Sequence, residues 1–203
     1  MKRLFLVILL WGCAWPLHAG ANVPPDELVK QTTDKVIMEL DANREVLMSD
    51  RDRLYRMVDE IVLPHFDFSR MSQLVLGRYW RTADDAQKEK FVGEFKTLLV
   101  RTYATALFEY QGQKITYKPS RVKDGDDRAV VQTEIKPADG PAIPLHYSLS
   151  RGDDGRWRVY DIRIDGISLV TNYRTTYGRT IQNQGIDALI SSLSKRNQEL
   201  MNQ

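Results

Sequence analysis

The chain has 203 residues, including 29 lysines and arginines, 27 acidic residues and one cysteine. This length suffices for one domain with a substantial hydrophobic core. After residue 21, no stretch approaches the roughly 18 consecutive apolar residues of a transmembrane helix, so the sequence predicts none there.

The first 21 residues have the pattern of a secretory signal peptide. Lys2 and Arg3 form a basic start, Leu4–Trp11 is an apolar run, and Ala19–Ala21 offers small side chains for cleavage. We therefore expect an exported mature chain that begins at Asn22. Cys13 allows a lipoprotein signal as the alternative, although Trp11 is bulky where a lipidation box carries a small residue.

Charge balance excludes one large class of function. Removing the predicted signal peptide takes away Lys2 and Arg3, so 27 basic and 27 acidic side chains remain. A chain without net charge lacks the basic surface on which nucleic-acid binding depends, so we expect no nucleic-acid partner. Cys13 is removed as well, and a thiol-free mature chain fits an oxidising compartment.

Helical periodicity predicts four helices in the first half of the chain. The first follows Pro25, the second is capped by Ser49 or Asp50, and the third runs from about Phe66 to Leu76 and ends before Gly77. The fourth and longest is expected to begin at Thr82 and to continue to about residue 110. Its apolar face contains Phe91, Phe95, Leu98, Leu99, Thr102, Tyr103, Ala106 and Leu107.

The period then changes to two, which predicts β-strands. Four runs alternate apolar and polar side chains, at about 115–117, 129–135, 143–149 and 157–164. Clusters of glycine, proline and aspartate separate them, as expected of an antiparallel meander with one buried face.

Two helices close the chain. One follows Ser168 and ends at Gly185, and the last begins at Ile186, with a polar tail from Ser194 that we expect to fray. The sequence therefore predicts one α+β domain over residues 22–203, with N-terminal helices, a four-stranded antiparallel meander and C-terminal helices on one face of the sheet.

Few residues offer catalytic or metal-binding chemistry. Only His65 and His146 remain after residue 21, and neither belongs to a zinc-binding motif, so we expect no metal, cofactor or catalytic residue.

One enzymatic alternative stays open. Asp161 lies within the fourth predicted strand and could form an acid–base pair with Tyr103 or Tyr147 in an apolar pocket. Such a pair would suit a small-molecule isomerase or hydratase.

Several long motifs, in order, resemble the MlaC family of periplasmic phospholipid-binding proteins, also called toluene-tolerance auxiliary proteins. The first comprises Leu74–Arg81 and the helix that follows it, through Phe91, Phe95 and Thr102–Leu107. The second comprises Trp157–Ile162 and Gly166–Arg174, and the closing helix resembles the family from Gly185 to Ile190.

The resemblance implies helices and a curved sheet around a deep apolar pocket, with phospholipid tails inside and the headgroup outside. It further implies a non-enzymatic periplasmic carrier that moves phospholipid between the outer and inner membranes and maintains outer-membrane lipid asymmetry. The implied partners are an outer-membrane lipoprotein–porin complex and an inner-membrane ABC transporter with MCE domains.

Pocket candidates are the inward apolar residues of the long helix, the sheet and the segment after the fourth strand. They are Phe95, Leu99, Tyr103, Val131, Ile143, Leu145, Tyr147, Ile164, Leu169 and Tyr173. Arg78, Arg81 and Arg174 are candidates for contact with the headgroup, because guanidinium groups bind phosphate and aromatic residues adjoin them. The same arginine–aromatic segments leave a third hypothesis, a lipid-free envelope adaptor.

Overall fold

The computed structural model describes residues 23–120, 122–123 and 125–201. The predicted signal peptide, Cys13 and the expected start at Asn22 lie outside the described residues. Over the described ranges the chain forms six α-helices and a five-stranded antiparallel sheet, which confirms the α+β prediction. Among these helices, none combines the length and the apolar character required to cross a bilayer.

A short polar side chain that precedes an apolar periodic segment caps the first turn of the second helix and of the third. Helix α1 (Pro25–Ser49) has proline in its first turn and departs from helical geometry at Asn43. Asp50 caps α2 (Arg51–Ile61) by accepting a 3.1 Å hydrogen bond from the Arg53 N–H. After a 3₁₀ turn at 63–65, Asp67 caps α3 (Phe68–Leu76) in the same way.

The longest predicted helix differs from expectation at both ends. Helix α4 (Asp85–Tyr103) begins after Asp84 rather than Thr82, because Asp84 and Gln87 form a capping box in which each side chain bonds the other's backbone. The α-helix stops at Tyr103, and Ala104–Glu109 continues as a 3₁₀ helix. A short 3₁₀ helix, Gly77–Arg81, joins α3 to α4.

The sheet is a meander in which each strand pairs with its neighbour in sequence. The four predicted strands are confirmed, and a two-residue fifth strand extends the sheet beyond them. Their bounds are β1 Lys114–Lys118, β2 Arg128–Lys136, β3 Ile143–Arg151, β4 Trp157–Ile164 and β5 Ile167–Ser168.

Two packed helices complete the fold. Ser168 caps α5 (Leu169–Gln184), and α6 (Ile186–Met201) follows Gly185 directly. The prediction that the tail frays from Ser194 is wrong as far as Met201. Asn197 is buried on α6, and its side-chain amide donates to the Glu94 backbone carbonyl at 2.9 Å, which holds the last helix against α4.

Three apolar clusters form the core. The helical cluster joins α3, α4, α5 and α6 around Phe91 and Phe95. A second joins α1, α2 and the 3₁₀ helix after α4 around Leu40 and Leu54. The third packs Val29 of α1 onto the inner face of the sheet. Phe66 packs against both the helical and the sheet cluster, and the cavity described next is lined by members of all three clusters.

Candidate functional site

An apolar cavity of about 700 Å³ lies between α1, the end of α4 and the inner face of the sheet. Members of all three clusters contribute to its wall, including Leu99, Leu40 and Val159. Interiors of ordinary domains are close-packed, with few voids larger than a water molecule. A space of this size therefore indicates a binding cavity, since ligand pockets are typically about 300–1,000 Å³.

Strand register explains why the sheet supplies a continuous apolar wall. Thr133 faces Leu145 and Ile135 faces Ile143 across the β2–β3 pair, while Ile164 faces Leu145 from β4. Side chains at alternate positions of a strand point to the same face, so these residues lie together on the side covered by α1 and α4. All five line the cavity.

Helix α1 forms the opposite wall. Its lining residues recur at three- and four-residue intervals, which places them on one face of the helix. They are Leu28, Val29, Thr32, Thr33, Val36, Ile37 and Leu40. Our predicted site contains none of them, because the same spacing is the ordinary signature of a helix that packs on a filled core.

Polar groups in the wall are mostly bonded to other protein groups. The Thr32 and Thr33 hydroxyls each donate to the backbone carbonyl four residues earlier, at 2.8 Å. The Thr133 hydroxyl donates to the Leu145 backbone carbonyl at 3.5 Å, and burial raises the pKa of Tyr147. Burial, with a smaller effect of Lys35, lowers the pKa of His65, so this imidazole is neutral at pH 7. The wall is therefore uncharged over most of its surface.

One side of the cavity meets solvent. Tyr103 and Ile143 are 36% and 40% exposed, and Ala106 and Glu109 are exposed too, although all four belong to the wall. The opening therefore lies between the 3₁₀ helix after α4 and the start of β3. A long apolar molecule can enter here and leave a polar end in water.

Seven of the ten predicted pocket residues line this cavity. They are Leu99, Tyr103, Ile143, Leu145, Tyr147, Ile164 and Leu169. Their contact with a lipid stays a prediction, but the fold brings them together around one space.

Phe95, Val131 and Tyr173 lie elsewhere, and the expectation that they line the pocket is corrected. Phe95 stacks on Phe91, with ring centroids 5.6 Å apart, and meets Tyr173 edge-on at 5.2 Å inside the helical cluster. Val131 is fully buried in the sheet cluster with Trp157. Each shares a face with a lining residue: Phe95 and Tyr173 lie four residues from Leu99 and Leu169, and Val131 lies two residues from Thr133.

The three arginines predicted for the headgroup do not line the cavity either. Arg78 and Arg174 line a separate cleft between the end of α3 and α5, and Arg81 is exposed in the 3₁₀ helix beside it. Arg174 Nε donates to the Leu74 carbonyl at 2.5 Å. A cation at the end of α3 is favourable there, because the last carbonyls of a helix lack internal partners.

The residues of the enzymatic alternative are not assembled. The Asp161 carboxylate accepts hydrogen bonds from the Ser168 hydroxyl and the Val170 N–H, so it serves the start of α5. Tyr103 and Tyr147 line the cavity, whereas Asp161 does not. Within the described residues, no three histidine, cysteine or acidic side chains cluster as a metal site would require.

Fold and site together define an α+β binding protein whose helices and antiparallel sheet enclose an open apolar cavity. A family model described as MlaC protein matches residues 30–195. The chain is 30% identical to the toluene tolerance protein ttg2D of Pseudomonas putida over 92% of this chain and 85% of that protein. The chain belongs to the MlaC family, as its motifs predicted.

Two further comparisons agree. The intermembrane phospholipid transport system binding protein MlaC of Haemophilus influenzae is 29% identical over 87% of this chain and 84% of its own length. A solved structure of a phospholipid-binding protein from Ralstonia solanacearum, in complex with a phospholipid, superposes with a TM-score of 0.80. The two sequences are 30% identical, and the superposition covers 89% of this chain and 99% of the other.

Proposed function

We propose that this protein is a phospholipid carrier that buries acyl tails in the cavity and leaves the headgroup at the solvent-exposed opening. The observation that carries the proposal is the open apolar cavity of about 700 Å³ within a fold shared with a phospholipid-bound relative. The relatives' names, a phospholipid transport system binding protein among them, support the same ligand class.

Transfer energetics explain why such a cavity is needed. Two acyl chains with about 28 methylenes have a transfer free energy from water of roughly 22 kcal/mol, at about 0.8 kcal/mol for each methylene. A single phospholipid therefore almost never leaves a bilayer unaided. A cavity that resembles the membrane interior makes the exchange between membrane and protein close to balanced.

The proposal includes no chemical step in the protein. Thr33 and Thr133 donate to backbone carbonyls, and Asp161 is engaged at the start of α5. The wall thus offers tails an apolar surface without a charged pair suited to proton transfer. We infer a single carrier domain over residues 22–203 that acts by binding and release.

We infer that the carrier works in the periplasm, exported by the predicted signal peptide, and shuttles phospholipid between the outer and inner membranes. The partners that fit this role are the outer-membrane lipoprotein–porin complex and the inner-membrane ABC transporter with MCE domains. Because exchange with the cavity is nearly balanced, net direction comes from those partners. The outcome for the cell is maintenance of outer-membrane lipid asymmetry.

A transfer assay with cavity variants tests the proposal. Ala106→Trp places a large side chain at the opening, whereas Thr102→Trp adds the same side chain at an exposed α4 position that does not line the cavity. Lipid-free protein is mixed with vesicles that carry a fluorescent phospholipid, separated, and then offered to acceptor vesicles.

Wild type and Thr102→Trp should take up lipid and deliver it, and Ala106→Trp should take up several-fold less. Equal uptake by all three would place the lipid outside this cavity. No uptake by wild type, combined with retained binding to a transporter, would support the lipid-free adaptor instead.

A further inference from the structure

A second cleft, lined by three arginines, lies apart from the apolar cavity. Its wall combines the end of α3 and the following 3₁₀ helix with one face of α5, and it shares no lining residue with the cavity. Arg78 comes from the first side, and Arg174 and Arg179 come from the second. Positions 174, 178 and 182 are four residues apart, so α5 presents them as one row.

The three arginines that line the cleft have no acidic partners. In the part of the chain that the structure describes, no carboxylate oxygen lies within 4.0 Å of Arg78, Arg174 or Arg179. Elsewhere on the surface, by contrast, Arg158 pairs with Asp154 at 2.5 Å and Lys30 pairs with Asp34 at 2.6 Å. Three unneutralised cations around one concave surface create a positive potential that favours an anion.

Two of these guanidinium groups are held in place. Arg174 Nε donates to the Leu74 carbonyl, which fixes the side chain and leaves its two terminal amino groups as donors. Arg78 donates to the Tyr79 hydroxyl at 2.8 Å, and its guanidinium carbon lies 4.8 Å from the centre of that ring. Donors that are already oriented lose less entropy when a ligand binds.

Gly178 keeps the cleft open. It lies inside α5, where glycine costs about 1 kcal/mol relative to alanine. Close packing does not require it, because a Cβ atom built there would meet no heavy atom within 4 Å. The missing side chain leaves space in the cleft between Arg174 and Gln182 on this row, with Arg179 next to it on the same wall.

We propose that this cleft binds a phosphate group, through the guanidinium groups of Arg78, Arg174 and Arg179. Arginine forks match the oxygens of phosphate, and several can share one phosphate because its charge is spread over them. The Thr175 hydroxyl and the Gln182 amide on the same wall add uncharged donors. The phosphate belongs either to a soluble compound or to a lipid headgroup at a membrane surface.

The test titrates ¹⁵N-labelled, delipidated protein with inorganic phosphate and follows the arginine Nε–H signals by NMR. We expect saturable shifts at these three arginines. Arg179→Gln should weaken phosphate binding about tenfold, since it removes a charge-assisted contact. Gly178→Leu should weaken it similarly by filling the cleft while all three arginines remain. Arg51→Gln, an exposed arginine at the start of α2, should bind as wild type does.

Vesicle flotation separates the two sources of phosphate. If the source is a headgroup, wild type should float with vesicles of 70% phosphatidylcholine and 30% phosphatidylglycerol more than Arg179→Gln does; if the source is soluble, both should float equally. Absence of saturable phosphate shifts, or equal phosphate affinity in wild type, Arg179→Gln and Gly178→Leu, would overturn the proposal. Loss of an acidic protein partner in Arg179→Gln, without phosphate binding by wild type, would overturn it in favour of a protein-docking site.

Phospholipid loading of the apolar cavity serves as the fold control. The cleft and the cavity share no wall residue, so these variants should load phospholipid as wild type does. A failed phosphate titration therefore leaves the carrier proposal standing, and a failed lipid assay leaves the cleft proposal standing.

Discussion

The Asp161 carboxylate accepts a hydrogen bond from the Ser168 hydroxyl at 2.7 Å, and its other oxygen accepts from the Val170 N–H at 3.1 Å. Ser168 in turn accepts from the Thr171 N–H at 3.0 Å. Two side chains thus satisfy the first N–H groups of α5, and the negative carboxylate lies at the positive end of that helix. This strand residue is therefore engaged in holding α5 against β4.

Asp161→Ala should lower the free energy of unfolding by about 1–2 kcal/mol, the usual cost of losing a helix cap. Phospholipid uptake by the folded variant should equal that of wild type, since Asp161 lies outside the cavity wall. Urea unfolding and the vesicle uptake assay measure the two effects. An Asp161→Ala protein that is as stable as wild type but loses its function in the cell would instead support the hypothesis that Asp161 is part of an acid–base pair.

Leu99→Glu should reduce bound phospholipid at least about tenfold. Leu99 is 7% exposed and lines the cavity, and an ionised carboxylate beside acyl chains has neither water nor a partner. The measurement is the phospholipid-to-protein ratio after organic extraction of purified protein.

The matched control is Thr102→Glu, three residues along α4, which adds the same charge on an exposed side chain outside the cavity. Circular dichroism verifies that both variants fold. Equal lipid content in the two folded variants would show that Leu99 does not contact the tails.

High pH should destabilise the helical cluster through its tyrosines. Burial raises the pKa of both Tyr173 and Tyr177 far above the unfolded value of about 10. Their neutral forms are favoured by folding, so this contribution is fully present below pH 10 and is lost as the pH rises above it.

Urea midpoints between pH 8 and 11.5 measure the effect. The wild-type midpoint should fall steeply above pH 10, and Tyr177→Phe should make that fall shallower because phenylalanine cannot ionise. An identical pH dependence in wild type and Tyr177→Phe would contradict the buried position of this hydroxyl.

Two glycines should respond oppositely to alanine. Gly77 ends α3 with φ +55° and ψ −118°, a region that side chains strongly disfavour, so Gly77→Ala should destabilise the protein by about 1–3 kcal/mol. Gly93 lies inside α4 with open space around a built Cβ, so Gly93→Ala should stabilise by up to about 1 kcal/mol. Thermal unfolding checks both signs, and a stabilised Gly77→Ala protein would refute the backbone assignment.

The sequence predicts the elements well because each carries a local signal. Alternation predicts the four long strands, and a polar residue before an apolar period predicts the starts of α2 and α5. The predicted start of α4 at Thr82 is wrong because Thr82 and Asp84 are both good caps. Gln87, three residues after Asp84, completes the capping-box pattern that distinguishes them.

Cavity walls are harder to predict than elements. Phe95 and Leu99 lie one turn apart on the same face of α4, yet the first packs in a filled core and the second faces open space. Both positions need an apolar side chain, so their residue types do not differ. The difference depends on how closely α1 and the sheet approach α4, which is a property of the tertiary fold.

The most direct measurement of the carrier proposal is native mass spectrometry of the mature protein purified from the periplasm, followed by lipid analysis of the released ligand. We expect an added mass that matches a phospholipid, reduced in Leu99→Glu and retained in Thr102→Glu. An unliganded mass that persists after incubation with phospholipid vesicles would contradict the central claim that this cavity carries phospholipid.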